Sequence, residues 1–229
     1  MGDQKKSLRL VLGTIAFLSL QAGLNLLFGL GQFRGVQETI YGIGIPPGLY
    51  PVGLILSFLL TVTGMPLSGM ATFFGEEYGW RGFLQKELAP MGRRLSTLLI
   101  GAIWGLWHFP LVLSGVHTYP PSPLGLLLVL VFTVLVGFVF SYAVLKTGSI
   151  WTAAFLHGIL NSLHAFLITY IVKPENKVLS FGLGVYGLAL LAVVVLLLWR
   201  DPVWRSSCRQ ARSSFSRATC CPLSRISDE

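Results

Sequence analysis

Gly75-Glu76-Glu77-Tyr78-Gly79-Trp80-Arg81 places three formal charges inside a chain built mostly of apolar residues. A largely apolar run from Leu67 to Phe74 precedes it, and Phe83 and Leu84 follow. Charges at membrane depth are costly, so a segment that carries them is a functional candidate by default. On a helix, Glu77 and Arg81 are four residues apart and share a face. Glu76 lies about 100° round the axis from Glu77. The pattern predicts a Glu77–Arg81 pair with Glu76 turned elsewhere. A structural ion pair between packed helices would look the same, so the rest of the chain has to decide.

Of the 229 residues, 53% are hydrophobic and only 11% charged, with a mean hydropathy of +0.71. A soluble domain is roughly a quarter charged. Apolar runs long enough to cross a bilayer recur along the chain. These observations predict an all-α fold, a polytopic membrane helical bundle of about seven transmembrane helices around an internal polar cavity. The net charge of +8 would suggest nucleic acid in a soluble protein. Here the basic residues cluster at span ends and in the tail with no RNA-binding motif, which points to the lipid bilayer and no nucleic acid partner. Cys208, Cys220 and Cys221 all fall in the tail, so there is no disulfide framework.

Seven spans are expected at about 10–30, 49–63, 67–88, 95–113, 124–145, 150–171 and 179–199. Gly64-Met65-Pro66 is expected to break the second, and Pro110 to kink or end the fourth. Residues 1–200 form one membrane domain and 201–229 a basic Ser/Arg/Cys-rich tail, expected to be disordered. An odd number of spans places the termini on opposite sides. The reading groups Arg34, Lys86, Arg93, Arg94, Lys146 and the tail arginines inside, and Lys5, Lys6, Arg9, Lys173 and Lys177 outside.

Polar residues within the spans are sparse. Glu76, Glu77 and Arg81 are on the third, His108 on the fourth, and His157, Asn161 and His164 on the sixth. His157 and Asn161 are four apart and share a helical face. One shared polar cavity explains them better than four independent accidents. Three chemistries fit. A carboxylate and an imidazole can activate water for amide hydrolysis while an amide and a second imidazole receive the oxyanion. Glu76, His108 and His157 could ligate zinc, although the spacing is not His-Glu-x2-His. A Glu/His relay could also serve a transporter or channel.

Glu76-Glu77-x3-Arg81, Trp104-x3-His108 and His157-x3-Asn161, in that order on three spans, resemble the CAAX prenyl protease and bacteriocin-processing family of intramembrane endopeptidases. The resemblance covers residues 70–165, including Gly105-Leu106-Trp107-His108-Phe109-Pro110 and Gly148-Ser149-Ile150-Trp151. It implies hydrolysis of a peptide bond in a membrane-embedded or lipidated substrate. Glu76 would be the base that activates water, working with His108. His157 and Asn161 would polarise the scissile carbonyl, and Glu77 and Arg81 would support them. The family's second motif more often begins with Phe; Trp104 is read as a conservative change on a cavity wall. Members are described both as metalloproteases and as glutamate-type enzymes, so zinc stays open.

Outside the motifs, His164 is expected to pack, His117 to be solvated in its loop, and Trp80, Trp107 and Trp151 to line walls and interfaces. The other functional classes, a Glu/His transporter or channel and a non-catalytic immunity or scaffold protein, are separated from hydrolysis by whether Glu76, His108 and His157 are needed for peptide cleavage.

Overall fold

The computed structural model describes residues 2–205. The remaining tail, with its three cysteines, lies outside the described residues. The first helix, α1 (Gln4–Leu27), starts where the Asp3 carboxylate accepts the Lys6 backbone N–H at 3.1 Å, a side-chain cap for an otherwise orphan donor. Three short strands follow, β1 (Gly31–Phe33), β2 (Thr39–Ile40) and β3 (Ile43–Gly44), the last two pairing as an antiparallel hairpin.

α2 (Tyr50–Ser68) runs through Pro66 and stops only at Gly69, one turn later than the expected break. The proline is tolerated in the last turn because a glycine faces it: a Cβ on Gly158 would stand 2.8 Å from the Pro66 Cβ. α3 (Met70–Glu77) continues as a π turn (Tyr78–Leu84) and one short helical turn, α4 (Gln85–Glu87). Then come α5 (Arg93–Leu113), α6 (Pro123–Thr147) and α7 (Ile150–Phe166), which ends in a π turn (Leu167–Ile171). Pro110 lies within α5, which continues to Leu113. β4 (Val172–Pro174) and α8 (Val185–Trp199) complete the bundle. The chain stays on the bundle to Arg205, with a 3-10 turn at Pro202–Trp204 that buries Trp204.

Among the described residues, five helices are long and apolar enough to cross a membrane: Gln4–Leu27, Pro47–Ser68, Arg93–Leu113, Pro123–Thr147 and Ile150–Ile171. This is the make-up of a multi-pass membrane bundle. The other two expected spans are helical but shorter. α8 has 15 residues, and the charged segment is divided by its π turn.

The direction of each helix follows from its end contacts. Asp3 donates its backbone N–H to the Thr147 carbonyl at 3.0 Å. Lys146 meets Asp201 at 2.8 Å, and Arg93 donates to the Val203 carbonyl at 2.6 Å. The starts of α1 and α5, the end of α6 and Asp201 therefore share one end. At the opposite end β1 pairs antiparallel with β4, Gly31 opposite Pro174. Met70, which opens α3, lines a groove with Gly2, Gln4, Ser149 and Trp151, and the chain returns to that same end at Arg93. The charged helix thus lies along one end, with Phe74 against Trp151 and Gly82 beside Ile150 at the start of α7. Its carboxylates find their partners beside the first half of α7, so no crossing is made. Both described termini consequently sit together, in contrast to the opposite sides expected from seven crossings. Arg34 also changes side, lying with Lys173 beside the β1–β4 clasp.

α5 and α6 pack through a Gly101-x3-Gly105 seam. A Cβ on Gly101 would stand 2.7 Å from the Val134 Cα, and one on Gly105 would stand 2.6 Å from the Thr133 Oγ1. Small residues at this spacing let two membrane helices approach to backbone contact.

Two outcomes are expected. Lys5, Lys6, Arg9, Arg93, Arg94, Lys146, Arg200 and Arg205 lie toward the end that holds the termini, against Arg34, Lys173 and Lys177 at the other. By the positive-inside rule such an imbalance predicts a cytoplasmic terminal end. Fusions before Gly2 and after Arg205 should both report cytoplasmic, and a fusion in the β2–β3 hairpin should report the opposite side; unlike signals from the two termini would contradict this arrangement. Gly101→Leu should destabilise the bundle by about 1–3 kcal/mol through overpacking, read as a lower unfolding temperature in detergent.

Candidate active site

The π turn begins directly after Glu77 and carries Arg81. Such widened turns occur often at functional sites. Glu77 and Arg81 have fully buried side chains, and Arg81 Nη1 lies 3.0 Å from one carboxylate oxygen of Glu77 and 3.1 Å from the other. The expected pair is present. The guanidinium carbon also lies 4.8 Å from the Trp104 ring centroid and 5.4 Å from that of Phe140. Desolvated cation–π contacts of this kind are worth about 2 kcal/mol. The guanidinium rests against Gly137 on α6, where an added Cβ would stand 3.4 Å from Arg81 Nη2, an ordinary van der Waals contact.

Glu77 has a second partner. Its Oε1 lies 3.1 Å from Nδ1 of His157, which is 4% exposed. A carboxylate oxygen accepts, so Nδ1 carries the proton and Nε2 is the nitrogen left for other chemistry. The imidazole is boxed by Phe73, Trp104 and Phe140, with ring centroids 5.2, 5.4 and 5.6 Å away. Phe74 stacks on Trp151 at 4.1 Å, fastening α3 to the start of α7.

Glu76 is half-buried and takes a different partner from this pair. It accepts the indole N–H of Trp104 at 3.3 Å. His108, also half-buried, directs Nδ1 at the Trp104 carbonyl oxygen, 2.8 Å away. That oxygen accepts, so Nδ1 again carries the proton and Nε2 is free. Glu76, Arg81, His108 and His157 are therefore gathered around one residue, Trp104.

Asn161 is not gathered in. It is exposed on α7, one turn beyond His157, and makes no side-chain hydrogen bond among the described residues. His164 packs near the Gly182 turn, its Cε1 3.2 Å from where a Cβ on Gly182 would stand. His117 differs from the solvated residue expected. It is half-buried, its ring stacked on Tyr119 at 5.3 Å and edge-on to His108 at 5.6 Å. Burial, and then the neighbouring His108, push its pKa down to about 4. The fold-back of this loop is fixed remotely, where the Tyr119 hydroxyl donates to the Leu183 carbonyl at 2.8 Å.

Among the described residues, no group of three or more His, Cys, Asp or Glu side chains is disposed to hold a metal ion. Glu76, His108 and His157, the trio considered for zinc, do not form a ligand set as arranged.

The fold and site define a helical membrane bundle with a buried, hydrogen-bonded Glu–Arg–His cluster and a second, accessible carboxylate. A family model described as type II CAAX prenyl endopeptidase Rce1-like matches residues 53–163, a stretch that contains Glu76, Glu77, Arg81, Trp104, His108, His157 and Asn161. Neither the curated proteins nor the solved structures compared with the chain gave a match.

Removing one partner of a buried ion pair strands the other, at about 3–5 kcal/mol. Glu77→Ala should therefore lower the unfolding temperature sharply. The double variant Glu77→Ala/Arg81→Met should recover part of that loss. A double variant less stable than Glu77→Ala alone would show that Arg81 is not stranded.

Proposed function

We propose that the chain is an intramembrane endopeptidase of the CAAX-protease type, a protein of the cell membrane that hydrolyses a peptide bond of a membrane-embedded or lipidated substrate. The observation that carries this reading is the division of labour between the two carboxylates. Glu77 is buried and committed to Arg81 and His157, whereas Glu76 is half-exposed with one indole partner. The similarity over residues 53–163 supports the same reading.

In this mechanism water sits between Glu76 and Nε2 of His108. Its oxygen bonds to the scissile carbonyl carbon as its proton passes to the Glu76 carboxylate. The carbonyl oxygen becomes an oxyanion, received by Nε2–H of a protonated His157 and by the Asn161 amide. Glu77 fixes the orientation of that ring by accepting its Nδ1–H. The carbon–nitrogen bond then breaks, and the proton held by Glu76 passes to the leaving amine, directly or through His108. Asn161 is exposed in the free protein, so its amide is available to a substrate.

The test is turnover of a membrane-peptide library by the purified protein in liposomes. Glu76→Ala, His108→Ala and His157→Ala should each lower kcat by roughly two to four orders of magnitude. Cleavage that survives all three substitutions would sink the mechanism.

A further inference from the structure

We propose that Trp104 is a positioning residue for Glu76, one whose indole N–H fixes the carboxylate that handles water; this rests on the endopeptidase reading above. Trp104 is 2% exposed, and its contacts run in four directions. Its Nε1–H donates to Glu76 at 3.3 Å. Its ring lies under Arg81, with 4.8 Å from the guanidinium carbon to the ring centroid. The His157 ring meets it at 5.4 Å and 74°. Its backbone carbonyl accepts Nδ1–H of His108 at 2.8 Å.

The indole has little freedom to move. Gly101 and Gly105 flank it on α5 and hold that helix against the α6 backbone at Val134, Thr133 and Leu130. Glu76 is the opposite case. It is half-exposed on a flexible stem, and the indole is its one side-chain hydrogen-bond partner among the described residues. A rigid donor on a mobile carboxylate selects one orientation from many. Pre-orienting a catalytic group lowers the barrier even though the donor touches no reacting atom. Trp104 does this while its carbonyl sets the tautomer of His108, so both groups that would share the water refer to one fixed residue.

Trp104→Phe isolates the N–H. It keeps an aromatic face for Arg81 and His157 and leaves the carbonyl bonded to His108. The expected result is a roughly tenfold fall in kcat with KM changed by less than about twofold and an unfolding temperature close to that of the parent. Independently of turnover, the Trp104 indole resonance, identified in ¹⁵N-indole-labelled protein in nanodiscs by its disappearance from Trp104→Phe, should move upfield in Glu76→Ala. An indole resonance indifferent to Glu76→Ala overturns the proposal, as does an unchanged kcat in Trp104→Phe or a rise in KM alone. If Trp104→Phe fails to fold, the Glu76→Ala spectrum decides, with the indole resonances assigned in the parent by sequential labelling. If the parent cleaves no membrane peptide, the endopeptidase reading falls, and the spectrum still reports whether the indole holds the carboxylate.

Discussion

A guanidinium withdrawn from water is the constraint around which this bundle is arranged. Arg81 is fully buried beside Glu77, and desolvating such a pair costs several kcal/mol per ion before any attraction is gained. The surroundings offset that cost through distinct contacts. Glu77 closes the charge, and Trp104 and Phe140 supply polarisable faces. His157 takes up further acceptor capacity on Glu77. A network of this kind ties α3, α5, α6 and α7 together at a single depth.

The glycines translate the constraint into helix positions. Gly101 and Gly105 bring α5 onto α6, while Gly158 lets Pro66 sit against α7. Each contact sets the height of a polar side chain next to it in the chain: Trp104 beside Gly105, His157 beside Gly158. Packing and site are therefore not separable, since backbone contact sets the heights of the Trp104 indole and the His157 imidazole.

Much of this was legible in residue types and spacing. The i, i+4 relation of Glu77 and Arg81 is local geometry, and so is the divergence of Glu76. The helical membrane class follows from composition. What was not legible depends on contacts between distant segments. Hydropathy counts each apolar run as a crossing, and end contacts such as Asp3–Thr147 and Lys146–Asp201 reveal that one helix does not cross. Trp104 reads as a wall residue because its ring is apolar; its single donor matters only once Glu76 is opposite it. A tryptophan four residues before the histidine was the available signal. His117 folds back because Tyr119 reaches Leu183, a pairing without periodic trace. The position of Asn161 on the His157 face was sound as azimuth, but azimuth says nothing of where the neighbouring helices stop.

The helix that does not cross has a topological consequence. A segment that enters and leaves by one face reverses the direction of nothing that follows it. The helices on either side of Met70 to Glu87 would keep their senses if that segment were lengthened, shortened or exchanged. The part of the molecule that holds both carboxylates is thus the part whose alteration leaves the sidedness of every other helix intact, and the site can vary without inverting the frame that carries it.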